Sequence, residues 1–437
     1  MQVAAQPPVR PPAEVHKLIP QHHRIPVRGG TPASVPITLE PFVAPLTAGV
    51  LNLDGKMRAN AFPWRGQFSP ELVEALLGAY ASDVCSVLDP FMGSGTVLVE
   101  SARRGYAAYG VEVNPAAYLL GRVYRLCNVP ETERRDLLDR TTRILSGLLL
   151  SDLPLLQTYS PDHREAFEPR LLLASTDDAL VQTLLQATVI LHHAHAGHKG
   201  AWDRAWAALR QTVLGLPYST APIYAMIGDA RRLPFADHSI DFVLSSPPYI
   251  NVFNYHHNAR SAVEMLGWQP LVVATSEIGA NRKFRQNRFL TVVQYCMDMA
   301  MALAEIRRVC TDRGRVLLVL GRESNVHMTP LYNGEIVEQL ATRALGFRVD
   351  LKQRRVFTNR FGQKIYEDLL HFSVSNGAIR ACPLLLEDAR LVALEILRDA
   401  RQRVPADRSP FLESAISKAT MVAASPLLDL RRAKGDI

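Results

Sequence analysis

The stretch VCSVLDPFMGSGTVLVESARRGY, residues 84–106, decides the fold class. It opens as a short apolar run that Asp89 and Pro90 bring to an end, which reads as a buried strand. A turn containing Gly93 and Gly95 follows, and Thr96 opens a segment of helical texture. Glycines at those two places let the backbone turn tightly and let a ligand approach it closely. No lysine follows, so this is not the phosphate-cradling Gly-Lys-Ser/Thr loop, and the full spacing of a dinucleotide fingerprint is missing. Strand, glycine turn and helix in that order are the repeating unit of an α/β sheet.

Further along, AAYGVEVNPAA gives a second short strand that ends in Glu112, a carboxylate placed to accept from a ribose diol. IYAMIGDA gives a third, with Asp229 at its end able to accept from an adenine amine. SIDFVLSSPPY is a fourth, halted by a proline pair that fixes φ and offers no N–H. A helix around 292–310 leads into the buried run RVLLVLG, and GFRVDLKQRRVF with YEDLLHFSV reads as a closing antiparallel pair. Strands alternating with helices predict a doubly wound, mostly parallel, seven-stranded α/β sheet of Rossmann-like class. Ligands of such sheets bind beyond the carboxyl ends of the strands, so the turns 89–96 and 245–249 should share one crevice.

Residues 1–38 are rich in proline and carry Arg10, Lys17, Arg24 and Arg28 against Glu14, which predicts a flexible basic arm. Order begins near FPWRGQFSPELVEALLGAY, where Ser69 and Pro70 form a helix start. The region 116–222 turns Leu/Ala-rich and helical, with a cap at Ser175 or Thr176 and a stop at Gly215 and Pro217. It exceeds what the core of such a sheet needs, so it is an insertion, either a recognition element or a buttress, and its Leu-rich surfaces favour the buttress. Residues 223–376 resume the sheet, and 377–437 form a mostly helical extension.

The 437 residues carry a formal charge of +7, with 48% apolar and 21% charged residues. The balance is that of a globular protein, and the sequence pI of about 9.2 points mildly to an anionic partner. Cys85, Cys127, Cys296, Cys310 and Cys382 are scattered, which argues against a zinc ribbon or a disulfide framework and suits a reducing cytoplasm. No apolar run approaches the roughly 18 residues of a membrane span, and the N-terminus lacks a hydrophobic signal core. The expectation is a cytoplasmic protein with no membrane partner. HHAHAGH places His192, His193, His195 and His198 together, yet no carboxylate or cysteine is close in sequence, so no metal is expected.

DPFMGSGT followed downstream by SSPPY resembles the amino-methyltransferases of DNA, which move a methyl group from S-adenosylmethionine to an exocyclic base nitrogen. The resemblance covers roughly 55–120 and 223–375 and implies a class I methyltransferase-like fold, split into a cofactor-binding half at 39–115 and a catalytic half at 223–376. It implies that Asp89, Phe91, Gly93, Gly95 and Thr96 hold the methionine end of the cofactor, with Glu112 and Asp229 on its nucleoside. FPWRGQFSPELVEALL, which contains Phe68, is similar to the family's segment that closes over the cofactor. Ser246, Pro247, Pro248 and Tyr249 then form the catalytic turn. The Ser246 hydroxyl and the Pro247 carbonyl would accept the hydrogens of the amine, and Tyr249 would stack on a base flipped from its helix. A serine before Pro-Pro-Tyr is commoner among N4-cytosine enzymes of this family, which makes cytosine N4 the expected target.

GANRKFRQNRF gathers Arg282, Lys283, Arg285 and Arg288, four cations within seven residues, beside aromatic and amide side chains. That mixture suits phosphate contacts on double-stranded DNA. KQRRVFTNRFGQK adds Arg354 and Arg355 on a hairpin, and the His256-His257 pair in NYHHNAR reads as part of the same DNA-facing surface. Restriction or defence-system proteins are candidate partners for such an enzyme. Three rival readings stand beside the main one: adenine N6 methylation on the same scaffold, guanine N2 methylation of transfer RNA, and a non-catalytic DNA-binding module that keeps the fold.

Overall fold

A computed structural model describes residues 44–53, 58–64, 66–81, 84, 86–150, 176–194, 200–250, 259–279, 284–358, 362–374 and 382–434. The predicted arm at 1–38 lies outside them, as do Ser175, His195, His198, His256, His257, Arg282 and Lys283.

Nine strands occur among the described residues: β1 (Ser86–Asp89), β2 (Ala107–Glu112), β3 (Ile223–Ile227), β4 (Ile240–Ser245), β5 (Cys310–Gly321), β6 (Glu323–Val326), β7 (Thr329–Tyr332), β8 (Arg348–Thr358) and β9 (Lys364–Ser373). Seven of them form one sheet in the order β3-β2-β1-β4-β5-β9-β8, and β6 with β7 forms a separate hairpin. The pairs from β3 through β5 are parallel, and β9 runs antiparallel to both its neighbours. The expected doubly wound, seven-stranded sheet is therefore present, with a single reversed strand.

Both sheet faces are covered, and the strands show it in their alternation. On β1, Val87 faces one hydrophobic core and Leu88 the other; on β5, Leu317 and Val319 face the first, while Val316, Leu318 and Leu320 face the second. The first core holds the helices Pro70–Tyr80, Thr96–Arg103, Ala179–Ala194 and Ala201–Leu214, and the second holds Phe289–Val309, Cys382–Ala400 and Ser409–Lys418. Phe289–Val309 is long and apolar enough to cross a membrane by length and composition, which corrects the expectation that no segment is. The helix is mostly buried, because Cys382–Ala400 packs on it and it shares the second core with β5.

The described residues between β2 and β3 are mostly helical, and the apolar residues Val181, Leu184, Leu185 and Leu209 among them join the first core. Asn128 ties the excursion shut: its amide nitrogen donates to the carbonyls of Ser219 (2.8 Å) and Ala221 (2.7 Å), and its oxygen accepts from Ile223 N at 3.0 Å. The N-cap of Ala179–Ala194 is Asp178, which accepts from Leu180 N and Val181 N, whereas Thr176 accepts from Asp178 N one step earlier. The carboxylate caps because it reaches two free N–H groups of the first turn at once.

The carboxyl-terminal segment crosses back over the sheet and is fixed by a buried charge network. Arg231 pairs with Asp229 and with Asp298, each at 2.8 Å, and donates to the carbonyls of Ser425 (2.9 Å) and Pro426 (2.8 Å). Asp298 in turn accepts from Ser425 N and Oγ at 2.8 and 2.6 Å. Removing one member of a buried pair leaves the other charge short of partners. Replacing Asp298 by alanine is therefore expected to lower the free energy of unfolding by about 3 kcal/mol, the low end of that effect because Asp229 still neutralises Arg231. Urea denaturation checks this, and an unchanged midpoint would deny the network its structural role.

Candidate active site

The strand order reverses direction between β1 and β4: the chain leaves β1 for β2 and β3 on one side and returns on the other as β4. Such a switch point opens a crevice beyond the strand ends. The two turns meet there. At their roots, Ser245 Oγ donates to Asp89 Oδ1 at 2.6 Å, with both residues buried. The cleft beyond holds about 720 Å³ of empty space, part of it open to solvent, and Trp64, Phe91, Gly93, Glu112, Asp229, Ser246 and Pro248 are among the residues lining it.

The glycine turn is held by its own backbone and by Glu112. Met92 N donates to Val111 O at 3.1 Å, and Gly93 N donates to Glu112 Oε2 at 2.7 Å. Glu112 Oε1 accepts from Asn114 N at 2.8 Å. Gly93 and Gly95 have φ of +53° and +90°, and a Cβ on Gly95 would stand 2.8 Å from the Tyr124 ring. Gly95 therefore packs the turn against the helical insertion instead of lining the cleft. Thr96 opens its helix and bonds Asn60 Oδ1 at 3.3 Å, also away from the cleft.

Gly95 and Thr96, expected to hold the cofactor, thus face away from the cleft, and three more expectations about the cofactor half need correction. Asp229 lines the cleft, yet its carboxylate accepts Arg231 N and Nε through Oδ1 and Arg231 Nη2 and Leu428 N through Oδ2. Four bonds fill its acceptor sites, so it has none left for an adenine amine. Phe68 packs beside the first core, and Trp64 takes the place at the cleft, within 3.7 Å of where a Gly93 Cβ would stand. Asp89 sits beneath the turn, where it accepts from Phe91 N at 3.1 Å as well as from Ser245.

The proline turn is gripped from several sides. Ser246, half-buried, has its Oγ 3.2 Å from the Tyr249 hydroxyl. Tyr295, fully buried in the helix Phe289–Val309, donates its hydroxyl to Pro248 O at 3.1 Å. The Tyr249 ring lies on Gly321 at the end of β5, where any Cβ would meet Tyr249 Cε2 at 2.7 Å. Pro248 lines the cleft, while Pro247 is buried beside it. Ser276, Glu277 and Ile278 complete the wall from a loop that carries no recognisable motif, and nothing in the sequence singled them out. Trp64 had a weak signal, an aromatic in the irregular stretch before a helix.

The basic residues divide. Arg285 and Arg288 are exposed at the amino end of the helix Phe289–Val309. Arg354 is 55% exposed and pairs with Asp368 at 3.0 Å. Arg355 is buried: it pairs with Glu367 at 2.6 Å, donates to Leu51 O, and cannot touch DNA as expected. Neighbours on a strand point to opposite faces, so only one of the two can face solvent. His192 stacks on Trp202 and His193 bonds Ser261, and the described residues hold no group of three metal-ligating side chains.

Burial raises the Asp89 and Glu112 carboxyls to about 7, with hydrogen bonds to Asp89 from Ser245 and Phe91 N opposing the shift. A carboxyl that titrates higher when folded than when unfolded favours the folded state in its protonated form. Its contribution falls as pH rises from about 4 to about 7 and is constant above. In the variant Asp89→Asn, the amide oxygen can accept the same two hydrogen bonds without charge. The melting temperature of the natural protein relative to Asp89→Asn should therefore drop by several degrees between pH 5 and pH 8. Parallel melting curves across that range would contradict a buried ionisable Asp89. Gly95→Val, which drives a branched side chain into Tyr124, should cost stability as well as cofactor affinity, read by denaturation and by binding titration.

Residues 51–120 match the DNA methylase family of N6/N4 methyltransferases. Over 61 residues the chain is 38% identical to the type II methyltransferase M.MjaII of Methanocaldococcus jannaschii, a stretch that is 14% of this chain and 12% of that protein. Two solved structures align over more of the chain. A SAM-dependent methyltransferase from Methanosarcina mazei is 15% identical, with 66% of this chain and 91% of that one covered at a TM-score of 0.30. The rRNA methyltransferase aviRa from Streptomyces viridochromogenes is 12% identical, with 78% and 93% covered at a TM-score of 0.29. The matched segment contains the glycine turn and Glu112, so the likeness to the DNA methylase family of N6/N4 methyltransferases rests on that stretch.

Proposed function

We propose that this protein is a DNA methyltransferase that places a methyl group on the N4 amine of cytosine in double-stranded DNA. The observation that carries the reading is the shared crevice. A glycine turn with Glu112 beside it and a Ser-Pro-Pro-Tyr turn that contributes Ser246 and Pro248, far apart in sequence, line one cleft with their roots hydrogen-bonded. The cleft fits S-adenosylmethionine: Glu112 lines it at the end of β2, and the space between Gly93 and Trp64 is one that a side chain on Gly93 would fill. When bound there, that cofactor supplies an electrophilic methyl on a sulfonium.

The protein's own groups then prepare the acceptor. An exocyclic amine is a poor nucleophile because its lone pair is delocalised into the ring. The Ser246 hydroxyl and the Pro247 carbonyl each accept one of its hydrogens, which draws the nitrogen toward tetrahedral geometry and frees the lone pair. Tyr295, by holding the Pro248 carbonyl, fixes the turn so that these acceptors do not drift. Tyr249 offers its ring to the base, and stacking of this kind contributes about 1–3 kcal/mol against the cost of unstacking. A neutral serine removes no proton in advance, so the excess proton leaves to water after transfer. Phosphate contacts fall to Arg285 and Arg288, which are exposed at the amino end of the helix Phe289–Val309. The buried thiols Cys127, Cys296 and Cys310 suit the reducing cytoplasm, where we place the enzyme.

Incubating the protein with labelled cofactor and either plasmid or transfer RNA, then mapping modified bases, tests the reading. N4-methylcytosine at a defined sequence is expected; N6-methyladenine would move the target to the rival base, and label only on transfer RNA would replace the substrate class. Ser246→Ala should lower turnover by about 100-fold or more while cofactor affinity survives. Full activity in that variant would refute the role given to the turn. Arg285→Glu should weaken DNA binding and reduce the slope of log K against log salt by about 1. An unchanged slope would take that residue out of the interface.

A further inference from the structure

The hairpin of β6 and β7 belongs to neither the seven-stranded sheet nor the crevice wall. It begins two residues after Gly321, on which the Tyr249 ring lies, so it leaves the sheet at the edge where the crevice opens. The helix Phe289–Val309 leads into the start of β5, and its amino end therefore reaches the same edge. Hairpin tip and helix start meet there: His327 Nε2 accepts from Arg288 N at 3.1 Å.

The tip is unusual. His327 and Met328 both have positive φ, 49° and 59°, the two-residue turn that asparagine and glycine normally supply. Other side chains adopt it only at a cost, and such outliers point to function when the surroundings hold them firmly. His327 is held firmly. Its ring stacks on Phe411 (centroids 5.4 Å apart) and tilts against Phe289 (5.2 Å). With His327 turned inward, Met328 is carried at the apex with 57% of its surface exposed. Cations lie near this tip. Arg288 is exposed and its N–H bonds His327, Arg285 is exposed three residues earlier in the chain, and Arg408, paired with Asp407 at 3.2 Å, is near enough that it and Arg288, after burial, depress the basicity of His327.

An enzyme that draws a base out of a duplex leaves a gap in the stack, and apolar side chains that enter between bases can fill it. We propose that the β6–β7 hairpin enters double-stranded DNA beside the target base, with Met328 as the wedge and Arg285, Arg288 and Arg408 on the flanking phosphates. The inference rests on the DNA amino-methyltransferase reading. It adds to that reading the element which opens the duplex: an unbranched, flexible thioether suits a gap whose shape varies with the neighbouring base pairs.

The test compares single-turnover methylation of two 30-bp duplexes bearing the site mapped for the natural enzyme. One keeps the target paired, and the other has an abasic position opposite it. Met328→Ala should slow methylation of the paired duplex about tenfold or more and leave the abasic-opposed duplex within about twofold, because that target is already unpaired. Met328→Leu, which keeps an apolar wedge, should restore the paired duplex. Cofactor affinity, expected to be unchanged in both variants, controls for folding. Equal rates for Met328→Ala and the natural enzyme on the paired duplex, or an equal loss on both duplexes, would overturn the wedge. A natural enzyme inert on every DNA would remove the methyltransferase reading itself, and the wedge with it.

Discussion

The hydrogen bond from Ser245 to Asp89, 2.6 Å long and wholly buried, joins the two turns on which the site is built. It is available only because β1 and β4 lie side by side and parallel, with Val87 opposite Phe242 and Leu88 opposite Val243. A slip of one residue would turn Asp89 to the other face and separate the glycine loop from the proline turn. Burial holds the Asp89 carboxyl near 7, so the bond is made in a setting that does not favour charge, and Ser245 and Phe91 N are its compensation. Sheet register and site geometry are one constraint here.

Around that joint, electrostatics are arranged in two layers. Glu112 faces the cleft and is shaped by two backbone N–H groups, one of them from the glycine turn itself. Behind the cleft, Asp229 and Asp298 share Arg231, and the carboxyl-terminal segment donates and accepts in the same network. Asp229 therefore shapes the wall through packing and its backbone, while its side chain serves the interior. The carboxyl-terminal helices are part of the structure that supports the cleft, through Gln294 bonding Ala423 O and Arg390 bonding Val422 O.

The cations divide by the same logic of faces. Arg354 and Arg355 are adjacent on β8, and the strand sends one to the surface and one inward beneath Leu51. Arg285 and Arg288, on the approach to a helix, both remain at the surface, and Arg288 bonds the β6–β7 tip through its N–H. A basic stretch is thus not a surface by composition alone; the element that carries it decides how much of its charge reaches a partner.

The class of fold, the position of both chemistry-bearing turns and the carboxylate at the end of β2 are legible in the chain alone. Those features are local: a proline pair stops a strand, glycines permit a positive φ, and apolar residues of a buried strand follow one another whatever lies elsewhere in the chain. The helical nature of the region between β2 and β3 was legible for the same reason. Only the tertiary structure decided that Asp229 answers to Arg231 and Leu428, that Trp64 instead of Phe68 meets the cleft, and that residues 276–278 close its wall. Each of these depends on contacts between residues tens to hundreds of positions apart, and a pairing at that separation leaves no period or motif in the chain. Asp229 and Leu428 become neighbours because the sheet and the helices upon it bring them together, and for no reason either segment carries alone.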